Sequence, residues 1–406
     1  MSTDTLYRAQ LESAFDLAQA KVRALIEQHP DYYPMYTQQG KWKHEGEKWT
    51  HWCDGFLPGM MWIFYGRNGN KYWLDNAIRY SKPLAPRQHD RAVHDLGFIF
   101  NSTYLRWLNA VSGTGCQFVK FRGHDPDFQT AGNRVMSPEL EDVLIQAGIT
   151  MSLRFKEKGQ YLRSFVSEDS LFVDIMMNVG IVYYAAQKLE ERGKLKEAAE
   201  LRRIANAHCR TSLRCLVRGD GSTAHEALFN LETGECLRQT THQGFRGDSC
   251  WSRGLAWALY GFCTAYNFTR DTAYLDASEA CARFYIAHTP EHGVPPWDYE
   301  APPPSSAAKG AVLEDSSAAA IAASGLYNLS LASASFEKRM LYRGCFRRIM
   351  ATLTTEKYLG REPGWEGILK HGVYHIHKQL GVDESVMWGE YFFVEALAKA
   401  LADVTT

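Results

Sequence analysis

No run of apolar residues in this 406-residue chain reaches the roughly 18 that a membrane-spanning helix needs. The opening Met1-Ser-Thr-Asp-Thr-Leu-Tyr-Arg8 lacks the basic, apolar, cleavable pattern of a secretory signal. The nine cysteines form no C-x-x-C pair, and their odd count argues for reduced core thiols over a disulfide framework. These absences predict a cytoplasmic protein. They also make chance matches of the glycosylation-like sequons at Asn101, Asn267 and Asn328. An excess of one charge is lacking too: 45 basic against 46 acidic residues give a formal net charge of -1. No basic stripe suggests nucleic acid, and nothing favours an anionic membrane surface. There is no P-loop and no G-x-S-x-G elbow. No long Pro- or Gly-rich linker divides the chain; Ala301-Pro-Pro-Pro-Ser-Ser-Ala-Ala308 reads as a loop within one domain, residues 1–406.

What is present is apolar and aromatic. Hydrophobic residues make up 45% of the chain, enough for a large core. The 11 Trp, 21 Tyr and 20 Phe exceed what packing alone requires and suit a site that stacks the faces of sugar rings. Helical periodicity dominates. It predicts about twelve helices, near 4–28, 56–66, 72–88, 96–110, 138–155, 174–190, 195–216, 249–267, 272–288, 315–331, 335–354 and 387–402. Ser137-Pro138, Asp248-Ser249 and Asp315-Ser-Ser317 read as helix starts.

The helices fall into two broadly alternating kinds. Lys194 to Arg214 is charged and amphipathic, as a solvent-facing helix is. Leu96-Gly-Phe-Ile-Phe100, Ile175-Met-Met-Asn-Val-Gly-Ile-Val182 and Ser316-Ser-Ala-Ala-Ala-Ile-Ala-Ala323 are apolar on all sides, which predicts burial on all sides. Outer and inner helices in six alternations describe an all-α (α/α)6 barrel.

Each inner helix is headed by an aspartate: Asp54, Asp95, Asp174, Asp248, Asp315 and Asp383. Helix capping alone would account for about four of the six. Parallel inner helices nevertheless bring their starts to one mouth. Carboxylates, aromatics and free N–H groups there could bind a polyhydroxylated, acidic ligand. Paired carboxylates suit glycoside cleavage, in which one group gives a proton and one handles water. Asp174, within Leu171-Phe-Val-Asp-Ile-Met-Met-Asn178, has the most apolar setting of the six, which would raise its pKa. Asp95 lies in Val93-His-Asp-Leu-Gly-Phe98, where Gly97 permits a close approach of ligand or backbone.

Arg253 and Trp257 are four residues apart and share a helix face, a pairing that fits a sugar carboxylate stacked over a ring and fits a surface Arg on a core Trp equally well. His225, in a turn-rich stretch, reads as structural from its surroundings alone. His371, His375 and His377 have a superficial metal spacing, but they lack carboxylate or thiolate partners, so no metal is expected. Gly123-His-Asp-Pro-Asp127 could hold a cation, though turns use Asp and Pro routinely.

Eight stretches in order together resemble the unsaturated glucuronyl hydrolases, glycoside hydrolase family 88. They are Trp52-Cys-Asp-Gly-Phe-Leu-Pro-Gly-Met-Met-Trp62, His94-Asp-Leu-Gly-Phe98, Asp174-Ile-Met-Met-Asn178, Gly221-Ser-Thr-Ala-His225, Thr241-His-Gln-Gly244, Asp248-Ser-Cys-Trp-Ser-Arg-Gly254, His371-Gly-Val-Tyr374 and Trp388-Gly-Glu-Tyr391. The resemblance runs from Trp49 to Leu397. It implies an (α/α)6 barrel acting on small oligosaccharides left by polysaccharide lyases, whose terminal uronic acid carries a C4=C5 double bond. The residue matching Asp174 would protonate C4 and then assist water onto C5, while Asp95 would hold sugar hydroxyls. By the same matching, His225, Gln243, Arg253 and Trp257 look like substrate contacts, and Trp52 and Phe56 like ring-stacking residues. No cofactor is implied, and the protein would be a monomer or homodimer.

Two departures bear on preference: Leu255 stands where relatives often carry Gln, and Phe165 where Trp is expected. The nearest alternative is an unsaturated galacturonyl or rhamnogalacturonyl hydrolase acting on pectin fragments, because the double bond erases the C4 stereocentre that separates the two sugars. A sugar 2-epimerase would need paired histidines at inner-helix positions, and a non-catalytic sugar-binding protein would have little need of a buried acid.

Overall fold

The computed structural model describes residues 3–43, 51–112, 137–303 and 312–404. The candidate cation loop at Gly123–Asp127, Trp49 and residues 304–308 of the Pro-rich stretch lie outside these. The helices are α1 (Thr3–Gln28), α2 (Phe56–Asn68), α3 (Lys71–Ser81), α4 (Leu96–Ser102, resumed as Tyr104–Ser112), α5 (Ser137–Ser152), α6 (Ile175–Asn178, resumed as Gly180–Glu191), α7 (Leu195–Leu216), α8 (Ser252–Thr269), α9 (Thr272–His288), α10 (Ser316–Ala332), α11 (Phe336–Leu353) and α12 (Met387–Asp403). The even-numbered helices touch in a closed ring, α2 to α4, α6, α8, α10, α12 and back to α2. The odd-numbered helices pack outside it. This is the (α/α)6 barrel expected from the alternation of helix types.

Burial follows the sequence pattern. Every residue of α10 from Ser316 to Ser330 is buried, as a helix without a polar face must be. Outer helix α7 buries Ala198, Leu201, Ile204, Ala205 and Cys209 and exposes Lys196, Glu197, Glu200 and Arg203. Asn70, Asp271 and Ser335 cap α3, α9 and α11 through their side chains. The helix expected over 72–88 tightens to a 3-10 turn over Lys82–His89, where Pro83 and Pro86 lack the N–H that an α-helix needs.

The inner helices cross closely through glycines. A Cβ on Gly97 of α4 would lie 2.5 Å from Asn178 Cα, and one on Gly261 of α8 would lie 2.6 Å from the Met176 carbonyl carbon. Both contacts pin the short first segment of α6, which follows Asp174 directly.

The loops entering the inner helices hold short strands that periodicity did not reveal: β1 (Thr37–Gln38) with β2 (Lys41–Trp42), β3 (Phe155–Lys156) with β4 (Tyr161–Leu162), the sheet β5 (Ser170–Phe172), β6 (Glu226–Phe229), β7 (Cys236–Thr240), and the hairpin β8 (Gly372–His375) with β9 (Leu380–Glu384). All neighbours pair antiparallel. None exceeds five residues, too short for an alternating pattern to register.

Candidate active site

The six heading aspartates do not behave alike. Asp315 caps α10, accepting from the Ser317 and Ala318 amides. It is the single side-chain cap among the six, fewer than capping predicts. Asp248 is exposed on Arg246, and α8 starts instead after extended Trp251, which makes no side-chain cap bond. Asp383 lies on β9 and pairs with His371. Asp54 meets Arg87 and His51. Asp95 and Asp174 occupy helix-start positions without capping.

The reason Asp95 does not cap is visible next door. The Phe98 amide, which a capping Asp95 would take, donates instead to Asn178 Oδ1 at 2.7 Å. Asn178 thus supplies the cap from the neighbouring helix and leaves Asp95 to face the cleft. Asp95 sits at φ -101°, ψ 18°, in the sparsely populated bridge region.

The sheet β5–β6–β7 builds the other half. Phe172 pairs with Glu226, and the Val173 amide donates to the His225 carbonyl at 3.0 Å. That register sets His225, just before β6, beside Asp174, just before α6. His225 Nε2 lies 3.6 Å from Asp174 Oδ2. Both atoms are buried without a hydrogen-bond partner among the described residues. His225 Nδ1 accepts from the His242 amide at 3.2 Å and meets the Thr241 hydroxyl at 3.1 Å. An acceptor at Nδ1 places the ring proton on Nε2, pointing at Asp174.

The cleft is lined by Trp52, His94, Asp95, Phe165, Phe172, Asp174, Gln243, Arg253 and Tyr374. Burial and the nearby Asp174 charge push the Asp95 carboxyl up to about 8. Burial raises Asp174 to about 6, against the opposing pull of the Arg253 cation. Burial, aided by neighbouring positive groups, keeps His94 and His225 neutral. His242, half exposed at the rim, is held above its ordinary value by its bond to Glu226.

Of the residues singled out in sequence, Trp52, Asp95, Asp174, Gln243 and Arg253 line the cleft together, with His225 directly behind Asp174. Phe56 and Trp257 do not line it. They are buried beneath, in a layer of rings: Phe56, Phe98, Trp257 and Phe392 have neighbouring centroids 5.0 to 5.7 Å apart, and Trp52 lies against Phe56 and Phe98. Arg253 is buried and stacks between Trp251 and Trp388, at 4.3 and 4.8 Å from their ring centres. The aromatic partner expected from spacing, Trp257, is thereby corrected: helical side chains lean towards the N-terminus, so Arg253 in the first turn of α8 tilts back to Trp251. Its guanidinium donates to the Val373 and Tyr374 carbonyls and to Gln243 Oε1, fixing both the hairpin and Gln243. Sequence reasoning missed Phe172 and Tyr374 as lining residues. Phe172 packs against both His94 and His225.

Among the described residues no three His, Cys, Asp or Glu side chains converge as a metal site. Contrary to the sequence expectation, His371 has a carboxylate partner, Asp383, besides the Lys357 carbonyl, while His377 is engaged by the Gly244 carbonyl.

No family model matches the chain. Individual proteins do. The unsaturated glucuronyl hydrolase of Bacillus sp. (strain GL1) is 29% identical over 368 residues, 88% of each chain. The unsaturated chondroitin disaccharide hydrolase of Streptococcus pyogenes is 25% identical over 413 residues, 98% of this chain and 93% of its own. The crystal structure of the Bacillus sp. GL1 enzyme superposes with a TM-score of 0.81 at 24% identity, covering 95% and 96% of the two chains, which shows the shared fold. Fold and site define an (α/α)6 barrel with two desolvated carboxyls, buried Asp95 and largely buried Asp174, in an aromatic cleft. Within that class, the chain is similar to the unsaturated glucuronyl hydrolases.

Proposed function

We propose that the protein removes the terminal Δ4,5-unsaturated uronic acid from short lyase-generated oligosaccharides by hydrating its enol ether, with the barrel as one catalytic domain. The observation that carries this reading is Asp174: a buried carboxyl oxygen without a hydrogen-bond partner, in a ring-lined cleft that it shares with Asp95. An enol ether is a weak base at carbon. Its C4 needs a neutral acid held close, and desolvation keeps such a proton in place near neutral pH.

In this reading Asp174 gives its proton to C4, and the π electrons of the double bond form the new C–H bond. The cation at C5 is stabilised by the ring oxygen. The Asp174 carboxylate then takes a proton from the water that adds to C5. The resulting hemiketal opens, releasing the remaining sugar and a 4-deoxy-5-keto uronic acid. Water is the only co-reactant, and Asp174 ends protonated as it began. Asp95 holds sugar hydroxyls. Gln243 presents a donor to the uronate, His225 turns its Nε2–H to Asp174 from behind, the buried Arg253 charge favours an anion, and Trp52 offers a stacking face. Phe56 and Phe98 support that face, and Trp257 packs behind Phe98. The names of the similar proteins, which act on unsaturated glucuronyl and chondroitin substrates, agree with this chemistry.

The test is incubation with unsaturated disaccharides from chondroitin, hyaluronan, heparin and pectin lyases, followed by loss of the conjugated-alkene absorbance. Loss is expected on at least one glycosaminoglycan disaccharide. Loss confined to the pectin product would reassign the substrate, and loss on none would end the hydrolase reading.

A further inference from the structure

His94 precedes Asp95 directly, yet its side chain returns to it: Nε2 lies 3.4 Å from Asp95 Oδ1. The ring is buried, 2% exposed, packed against Phe165 at 5.2 Å and edge-on to Phe172 at 5.6 Å. Its other nitrogen, Nδ1, accepts the Phe165 amide at 3.0 Å. A backbone N–H can only donate, so Nδ1 is unprotonated and the ring proton sits on Nε2, facing the carboxyl.

The frame around this ring is rigid. Buried Arg154 donates to the carbonyls of Arg91, Arg163 and Ser164, three residues before His94 and immediately before Phe165. One guanidinium therefore ties together the two segments that His94 joins. The arrangement also repeats. At the second carboxyl, His225 has its Nδ1 occupied by the His242 amide and turns Nε2 towards Asp174.

We infer that His94 is a positioning residue, a permanently neutral Nε2–H donor that fixes the orientation of Asp95 for the sugar. The assignment rests on the reaction proposed above. A neutral donor is what this place needs. An imidazolium would pair with Asp95 as a cation and hold it ionised, whereas the neutral ring orients the carboxyl without adding charge. The Phe165 amide enforces that state, because protonating Nδ1 would set two N–H groups against each other in a dry site.

The experiment uses His94→Leu, which removes the donor, and His94→Gln, whose amide N–H can occupy the Nε2 position, each alone and with Asp95→Asn. Turnover of an unsaturated disaccharide is measured beside a thermal melt. For His94→Leu we expect kcat to fall about 10- to 100-fold, the scale seen when a group orienting a functional side chain is lost, with KM within about threefold. His94→Gln should recover most of the loss. In the Asp95→Asn background, His94→Leu should cost less than about threefold more, since the group it orients is already gone. Equal losses in both backgrounds, or Gln no better than Leu in folded protein, would overturn the assignment. A second readout needs no substrate. In 15N-histidine NMR of the intact protein, a resonance absent from His94→Gln should keep the Nε2–H tautomer pattern from pH 5 to pH 8. A His94 signal that titrates in that range would refute the inference whatever the enzyme acts on. Absence of turnover in the unmodified protein would instead fault the proposed function alone.

Discussion

The barrel buries carboxylates at both ends and treats them in opposite ways. Beyond the aromatic layer, Glu395 borders a cavity of about 300 Å³ walled mostly by apolar side chains. It is met by Arg106 at 2.6 Å, Lys399 and Tyr260 each at 2.8 Å, and the Ser324 hydroxyl at 2.5 Å. Those partners overcome burial and draw its pKa down to about 2. At the mouth, buried Asp95 and largely buried Asp174 share a narrower cleft without that compensation, and both move up. The roomier cavity thus has its carboxylate neutralised by partners, and the tighter one holds the two carboxyls to which the proposed chemistry is assigned. Glu390 shows that burial is not a sufficient mark. It too is raised, to about 8, but it spends both oxygens on the Ile368 and Leu369 amides and clasps a loop. What distinguishes the mouth is a desolvated carboxyl with an oxygen left over.

Substitutions at the two ends should therefore fail differently. Asp174→Asn should lower kcat by about 10³-fold or more, the scale of losing a proton donor to the reacting atom, without lowering the melting temperature. Retained turnover would remove Asp174 from its role. Asp95→Asn should lose about 10²-fold or more in kcat and still bind the disaccharide, checked by calorimetry. Lys399→Met should do the reverse. Stripping a partner from buried Glu395 should destabilise the fold by about 3–5 kcal/mol in denaturant melts while each folded molecule keeps its activity. A variant that is stable but inactive would break the division between the ends.

The pH dependence sharpens the same contrast. The mouth carboxyls have folded pKa values near 6 and 8, above the ordinary 3.8. Their contribution to stability is thus full below about pH 4 and lost as pH rises through 6 to 8. Glu395 runs the other way, stabilising above about 4.5 and failing as pH falls towards 2. Activity should decline across pH 6 to 8 as the acid loses its proton, measured as kcat/KM against pH. A profile rising through that range would contradict the protonated-acid reading. The smallest effect expected is at Phe165, packed on His94 at the cleft wall. Phe165→Trp should change relative kcat/KM among disaccharides by less than about tenfold.

Much of this is legible in the sequence. The helices are, because long segments such as α10 and α7 carry strong and opposite burial patterns. Asp174 stands out by its apolar flanks. The sheet β5–β6–β7 is not legible, since strands of three to five residues leave too few side chains to show a period. With it goes the placement of His225 against Asp174. Nor could spacing show that Asn178 relieves Asp95 of capping, a contact across 80 residues of sequence. The Arg253 pairing went astray because i,i+4 proximity says which residues share a face, not which way a side chain leans.

The most direct test of the central claim looks at the protons themselves. Carbon-13 NMR of protein labelled at the aspartate side-chain carboxyls, titrated from pH 4 to pH 9, should show two groups changing protonation between about 6 and 8. Asp174→Asn should remove one of the two, and Asp95→Asn the other. If every aspartate is already ionised by pH 5, neither mouth carboxyl holds a proton where the reaction needs one, and Asp174 cannot be the acid.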